Sequence, residues 1–244
     1  MWINRLPSPA FGFEIKYRSC APATVPTLPT CGPVSLVHTE TRPAFTLYHR
    51  LGPRRIVAHD HRLDAGGTET YVASTRCKAL LADRSCPDAD VVMKGSSDDG
   101  ETWSTLRCVN CLARDQFGVA VRTDRSRNIV NIAYYTAQND PTGRRIQVFL
   151  AHVLPGGSGT IDNVADTHVL TTQLDDPDSV SWDGTVSPFR SPISFRGQLG
   201  LAARGTGAAG GSHAYVHFLS QSLQGVYNGV LVPDQNNHLS RLTY

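Results

Sequence analysis

At residues 96–103 the chain reads Ser96-Ser97-Asp98-Asp99-Gly100-Glu101-Thr102-Trp103, and this stretch decides the fold. Every fixed position of the pattern Ser-x-Asp-x-Gly-x-Thr-Trp is present in it. Asp and Ser side chains accept hydrogen bonds from nearby backbone N–H groups, and glycine adopts a positive φ at little steric cost. The flanking residues 89–95 and 103–107 read as strand-like segments. The stretch therefore predicts the turn of a β-hairpin.

Strand-like segments continue on both sides of this turn, and no helical stripe persists. They form three sets of four, at 70–74, 79–82, 90–93 and 102–106, then at 118–122, 129–135, 146–152 and 167–171, and then at 192–195, 199–203, 214–219 and 226–232. Two further segments, 45–49 and 55–59, precede these sets. Four consecutive antiparallel strands make one blade of a β-propeller. The pattern predicts an all-β fold built from such sets.

The bulk composition excludes several classes of protein. A chain of 244 residues that is 40% apolar and 18% charged can bury a sizeable core. The net charge of +2 is too small for bulk attraction to nucleic acid or to an anionic membrane. No run of ~18 or more apolar residues is present, so no membrane span is predicted. Residues 1–7 lack the apolar core of a secretory signal, which predicts either no export by that route or a leader missing from this sequence.

Prolines divide the chain into two parts. Residues 1–44 contain seven prolines and little periodicity, which predicts an extended, partly ordered lead-in. Residues 45–244 are predicted to hold the blades. At roughly 40–50 residues per blade, residues 68–233 supply about three blades and the earlier strands part of a fourth.

The six cysteines all lie in the first half of the chain and allow three interpretations. Pairing by proximity predicts the disulfides Cys20–Cys31, Cys77–Cys86 and Cys108–Cys111. The spacing of Cys108 and Cys111 also fits a pair of zinc ligands, with Cys77 and Cys86 as the second pair. Free or buried thiols are the third interpretation. Disulfides would indicate a secreted or cell-surface protein.

The stretch at residues 96–103 resembles the Asp-box, a turn motif on the blades of sialidases and other β-propellers. The approach to it, from residues 79–84 through a short loop to residues 88–94, is similar to the sialidase segment that leads from an arginine strand through the catalytic aspartate loop into the first Asp-box. The resemblance implies a sialidase-like β-propeller, with about three to four four-stranded blades of a partial six-bladed propeller present. A small all-β fold that uses the same turn is the alternative. The resemblance also implies that the fixed residues of the box are structural, namely Ser96, Asp98, Gly100, Thr102 and Trp103.

For function, the resemblance implies an exo-α-sialidase, a glycoside hydrolase that releases terminal sialic acid from glycoconjugates. In that family arginines clamp the substrate carboxylate, an aspartate is the general acid/base, and a tyrosine polarised by a glutamate is the nucleophile. Arg84 matches a substrate-contacting arginine. Asp88 or Asp90 matches the acid/base, and Asp88 is preferred because it lies in the loop. The implied partner is a sialylated glycan or another carbohydrate, and no cofactor is implied.

Other parts of the family's machinery are less clearly matched. The first clamp arginine is Arg62 by spacing or Arg55 by the neighbouring letters. No counterpart of the glutamate and tyrosine pair is found, because the available tyrosines read as core-facing or strand aromatics: Tyr134, Tyr135, Tyr215 and Tyr227. The alternative function is therefore a non-catalytic Asp-box β-propeller, or a fragment of one, that binds glycans or proteins.

Nine histidines are scattered along the chain. His59-Asp60-His61 is the one cluster along the sequence, and the His-x-His pair has the spacing of two metal ligands. No third ligand is suggested, so no metal site is predicted.

Overall fold

The computed structural model describes residues 1–5, 13–20, 29–40, 57–64, 67–79, 86, 88–124, 126–143, 145–156, 161–171, 174–175, 199–205, 211–227 and 230–244. All regular elements in these ranges are strands: β1 Trp2–Arg5, β2 Phe13–Tyr17, β3 Ser35–Glu40, β4 Val57–Asp64, β5 Gly67–Cys77, β6 Ala89–Ser96, β7 Arg107–Asn110, β8 Gln116–Asp124, β9 Ile129–Thr136, β10 Gln147–Pro155, β11 Ile161–Val169, β12 Gly200–Gly205, β13 Ser212–Tyr227 and β14 Val230–Thr243. The predicted all-β fold is confirmed. Nothing in the described part of the chain is a helix long and apolar enough to cross a membrane.

The strands form four antiparallel sheets, and neighbours in each sheet are neighbours along the chain. Sheet 1 contains β1–β3, sheet 2 β4–β7, sheet 3 β8–β11 and sheet 4 β12–β14. Each sheet is therefore a meander that short connections can build without crossovers. Among the described residues these sheets are open, with no pairing that closes one on itself.

Three apolar clusters join the sheets in chain order. Sheets 1 and 2 share a cluster that includes Ile15, Tyr17 and Val72. Sheets 2 and 3 share the largest cluster, and sheets 3 and 4 share another. Tyr134 packs in the cluster with sheet 2, whereas Tyr135 packs in the cluster with sheet 4. Successive residues of a strand point to opposite faces, so these adjacent tyrosines bury both faces of sheet 3.

The first strands of successive sheets are neighbours in space. Strand β8 lies beside β4 of the preceding sheet and beside β12 of the following one. Sheets 2, 3 and 4 therefore approach one another at their first strands.

Several predicted strands are found, and others are not. The segments 70–74, 90–93, 118–122 and 129–135 lie within β5, β6, β8 and β9. The predicted strand at 102–106 is wrong, because β7 begins only at Arg107. Backbone hydrogen bonding explains the delay: Ser104 N donates to Gly95 O at 2.8 Å and Ser104 Oγ accepts from Gly95 N at 3.0 Å, which ends the turn before the β7 ladder starts. The segments 45–49 and 192–195, and all of 79–82 except its first residue, lie outside the described residues.

Sheet 1 lies in the part of the chain that was expected to be an extended lead-in. None of the seven prolines lies within β1, β2 or β3: six lie between β1 and β3, and Pro43 follows β3. Proline cannot donate to a ladder, so its place between strands is compatible with a sheet. Phe13, Ile15 and Tyr17 alternate inward along β2 and bury this sheet on Val72.

All six cysteines form disulfides, in the pairs Cys20–Cys31, Cys77–Cys86 and Cys108–Cys111. The zinc and free-thiol interpretations are therefore wrong. Cys77 ends β5 and Cys86 shortly precedes β6, so their bond joins the two ends of the segment that carries Arg84. Closing such a loop lowers the conformational entropy of the unfolded chain.

Candidate functional site

The Asp-box turn between β6 and β7 is held by its own side chains. Ser96 Oγ donates to Asp98 Oδ1 at 2.7 Å and accepts from Gly100 N at 2.8 Å. Thr102 donates its backbone N–H to Asp98 Oδ1 at 2.9 Å and its hydroxyl to Asp98 Oδ2 at 2.5 Å. Burial acts to raise the pKa of Asp98, but the hydrogen bonds from Thr102 and Ser96 outweigh it and hold this pKa below its usual value.

The same turn attaches sheet 1 to sheet 2. The Trp103 ring meets the Tyr17 ring edge-on at 5.5 Å, and its Nε1 donates to Ser35 Oγ at 3.1 Å. Gly100 has φ +85°, and a Cβ at this position would overlap the Tyr17 ring. Only glycine meets both demands. The fixed residues of the box thus hold the turn and its packing.

A cavity of about 240 Å³ lies beside the Asp-box, between the turn and the loop that follows β2. Its lining includes Tyr17, Gly32, Pro33, Asp99 and Glu101. Tyr17 Oη donates a long hydrogen bond to Asp99 Oδ1 at 3.4 Å across this region. The cavity thus combines an aromatic ring, a proline and two carboxylates.

Two aspartates and one lysine meet at the opposite end of β6. Lys78 Nζ lies 3.0 Å from Asp88 Oδ2 and 3.1 Å from Asp90 Oδ1. It also donates to Leu112 O at 3.2 Å, in the segment that follows β7. Asp90 is only 5% exposed, whereas Asp88 is half-buried. These residues form an acidic pair that shares one ammonium group, called here the Lys78 cluster.

The two carboxylates of the Lys78 cluster have different surroundings. Burial raises the pKa of Asp90 to about 6, and the ion pair with Lys78 offsets only part of that effect. For Lys78, burial acts to lower the pKa, but the hydrogen bonds with Asp88 and Asp90 outweigh it and raise this pKa. Asp90 therefore exchanges its proton near neutral pH, beside a partner that stays charged.

Nearby buried acids support this end of the sheet. Asp115, 2% exposed, accepts a hydrogen bond from Ala89 N at 3.1 Å and so fixes the backbone between Asp88 and Asp90. Arg76 on β5 is the direct strand partner of Asp90 on β6. Its Nε atom lies 3.9 Å from Oε2 of Glu40 in sheet 1. The positive charge of Arg76 acts to lower the pKa of Asp90, although burial has the larger effect.

The structure brings together only part of the site predicted from the sequence. Asp88 and Asp90 meet at Lys78, which sequence reasoning missed. The predicted clamp residues Arg84 and Arg55 lie outside the described residues. Arg62 lies on β4 opposite Glu69, and its side chain is not among those described.

Among the described side chains, the buried tyrosines are Tyr17, Tyr71, Tyr134 and Tyr135, as predicted for Tyr134 and Tyr135. Tyr71 Oη donates to Glu69 Oε2 at 2.9 Å, the kind of pairing that the resemblance implies for the nucleophile. However, Tyr71 is 0% exposed and packs between sheets 2 and 3. A phenol buried in this way does not reach a substrate in this conformation.

Comparisons with protein-family models, with curated proteins and with solved structures gave no match for this chain.

Proposed function

We propose that the chain is a sialidase-like glycoside hydrolase that acts on terminal sialic acids, with its general acid/base in the Asp88–Asp90 pair. The observation that carries the proposal is the meeting of Asp88 and Asp90 at Lys78 Nζ, 3.0 Å and 3.1 Å away, at the start of the strand that leads into a complete Asp-box. Burial also raises the pKa of Asp90 to about 6. A general acid/base is most effective when its pKa lies near the working pH. Carboxyl groups with such shifted pKa values occur preferentially at functional sites.

The geometry suggests a division of labour within the Lys78 cluster. The Asp88 side chain is 30% exposed and that of Asp90 only 6%, so we assign the contact with the glycosidic oxygen to Asp88. Asp90 is more deeply buried and shares the same ammonium partner, and the charge of Asp88 acts to raise the pKa of Asp90. Lys78 orients both groups, because it directly follows β5 and its ammonium also donates to the backbone carbonyl of Leu112.

A propeller is the architecture proposed for this enzyme. Its support is the succession of meander sheets, each packed on the next, whose first strands β4, β8 and β12 lie side by side. Blades of a propeller meet at their inner strands in this way. The four sheets would correspond to about three to four blades of a partial six-bladed propeller. The three disulfides favour an oxidising compartment, so a secreted or cell-surface location is part of the proposal.

Turnover of a fluorogenic sialoside by the purified chain tests the acid/base directly. We expect Asp88→Asn to reduce turnover by at least about 100-fold, since general acid–base catalysis contributes roughly 10²–10⁴-fold. The matched control is Glu14→Gln, because Glu14 also pairs with a lysine, Lys16 at 2.9 Å, but on sheet 1. Equal turnover by wild type, Asp88→Asn and Asp90→Asn would refute the assignment.

A second function, non-catalytic glycan binding, is favoured by the cavity beside the Asp-box and by the burial of Tyr71, Tyr134 and Tyr135. An aromatic ring beside polar groups is a common way to bind a small ligand. Gly32→Trp should fill this cavity, because a Cβ at Gly32 meets only Ser19 O at 3.9 Å. Titration with sialyllactose then separates the two functions. Binding that Gly32→Trp abolishes and Asp88→Asn leaves unchanged, without turnover, would support the second function over the first.

A further inference from the structure

We propose that His152, Asp166 and His168 form a binding site for a divalent first-row transition metal ion such as Zn²⁺. The site lies in sheet 3, on its third and fourth strands, away from the Lys78 cluster and from the Asp-box. It is independent of the proposed hydrolase function, and its test does not use activity.

Strand register brings the three side chains together. His152 on β10 is the direct partner of Asp166 on β11. His168 lies two residues beyond Asp166 on the same strand, and residues two apart in a strand share a face. All three side chains therefore lie on one face of the sheet, the face that also carries Leu150 toward sheet 4.

The distances fit a single ion. His152 Nδ1 lies 2.7 Å from Asp166 Oδ1, and His168 Nε2 lies 3.2 Å from Asp166 Oδ2. One ligand atom from each residue lies within 4.8 Å of the other two. Ligands about 2.0–2.2 Å from one zinc ion lie roughly 3–4 Å apart, so small side-chain rotations complete the site. The exposed side chain of Asp166 and the half-buried ring of His168 have room to rotate.

A second observation points to a ligand at this place. His152 is only 2% exposed, and its Nε2 atom is buried without a hydrogen-bond partner among the described residues. The Nε2 atom of His168 is also buried without a hydrogen bond there, although it faces the Asp166 carboxylate. A buried polar atom without a hydrogen-bond partner costs free energy. For His168 the unpartnered atom is the same Nε2 that faces Asp166, so coordination of a metal ion there would remove this cost.

The surroundings hold the buried ligand in place. The Tyr244 ring packs on the His152 ring at 4.3 Å. Tyr244 Oη accepts from Asn131 Nδ2 at 2.9 Å and donates to Asp124 Oδ2 at 3.2 Å. Outer contacts of this kind orient metal ligands. Two imidazoles and one carboxylate suit Zn²⁺ and related ions, and a fourth position would be open to water.

The experiment uses the full chain, oxidised and purified without a histidine tag. Titration of the metal-free protein with Zn²⁺ is expected to show one site per chain, and Co²⁺ is expected to give the visible absorption of a four-coordinate ion. Asp166→Ala and His168→Ala remove partly exposed ligands, so both variants are expected to fold and to weaken binding by at least about tenfold. The matched control, His217→Ala, removes a histidine of sheet 4 and is expected to bind like wild type.

Three results would overturn the proposal. One is the absence of stoichiometric binding to wild type, and another is equal binding by wild type, Asp166→Ala and His168→Ala. The third is loss of binding in His61→Ala with full binding in His168→Ala, which would assign the ion to the His59-Asp60-His61 segment instead. If the variants misfold, paramagnetic broadening by Co²⁺ in wild type still decides: broadened His152 and His168 ring resonances support the site, and unchanged ones refute it.

Discussion

The two ends of β6 carry carboxylates with opposite properties. Asp98, just beyond the end of the strand, receives hydrogen bonds from Ser96 and Thr102, and its pKa lies below the usual value. Asp90, near the start of the strand, is more deeply buried, and its pKa is raised to about 6. Only eight positions separate the two residues in the sequence.

The difference follows from where the partners come from. The Asp98 carboxylate is bound by Ser96 and Thr102, which lie within four residues of it, so one local segment forms both the turn and the site of its charge. Asp90 depends on Lys78, which lies twelve positions away in the sequence and is brought beside it by the pairing of β5 with β6. A carboxylate with local donors stabilises a turn, whereas a buried carboxylate with one distant partner keeps a proton that chemistry can use.

The largest effect is expected at the Asp-box end of this comparison. Gly100→Ala forces a side chain onto a backbone with φ +85° and onto the Tyr17 ring. We expect the free energy of unfolding to fall by about 3 kcal/mol, from backbone strain and overpacking together. Urea denaturation of the protein with its disulfides intact measures this change in the free energy of unfolding.

The control for that variant is Gly32→Ala, on the other side of the same cavity. A Cβ at Gly32 makes only an ordinary contact with Ser19 O at 3.9 Å, so a change within about 0.5 kcal/mol is expected. Equal stability of wild type and Gly100→Ala would show that the turn adapts and that the Asp-box does not hold sheet 1 on sheet 2.

The second effect concerns pH at the Asp90 end. Because the folded pKa of Asp90, about 6, exceeds its ordinary value of 3.8, the folded protein binds this proton more tightly than the unfolded chain. That contribution is complete below pH 3.8 and is lost as the pH rises through about 6. Asparagine does not titrate, so Asp90→Asn does not lose this stability as the pH rises. Its free energy of unfolding relative to wild type should therefore increase by up to about 3 kcal/mol between pH 4 and pH 7.

Denaturation midpoints at a series of pH values give the difference curve. Asp88→Asn is the companion variant, since it also removes a partner of Lys78 and separates loss of an ion pair from loss of the buried carboxyl group. A flat difference curve for Asp90→Asn would mean that Asp90 ionises as freely in the folded protein as in the unfolded chain.

How much the sequence predicts also differs between the two ends of β6. The turn at 96–103 is predictable because its fixed residues satisfy one another locally. The start of the next strand is not predictable in this way, because the hydrogen bond from Ser104 N to Gly95 O ends the turn before the β7 ladder starts at Arg107. Sheet 1 is not predicted because seven prolines punctuate residues 1–44, although none of them lies within β1, β2 or β3.

The non-local parts of the candidate sites depend on register. Asp88 and Asp90 carry a recognisable pattern, but no feature of Lys78 marks it as their partner before β5 and β6 are aligned. The pair Asp166-x-His168 has the spacing of two residues on one strand face, a signal present in the sequence. The sequence predicts neighbouring strands at 146–152 and 167–171, but it does not specify the register that places His152 opposite Asp166.

The smallest effect tests whether the charge of Asp98 or only its shape holds the turn. Asp98→Asn keeps an oxygen for Thr102 but removes charge-assisted hydrogen bonds, so we expect a loss of about 1–2 kcal/mol at pH 7. Asp99→Asn is the control, because asparagine tolerates the φ of 56° at this position and only the 3.4 Å contact with Tyr17 is affected. Since the folded pKa of Asp98 is lowered, its contribution is present above the unfolded pKa and is lost as the pH falls through the folded pKa. On acidification the loss in free energy of unfolding caused by Asp98→Asn should therefore become smaller. Asp90→Asn should instead become less stable relative to wild type over the same pH range. If the stability difference from wild type changes with pH in the same way for both variants, the two ends of β6 do not differ as proposed.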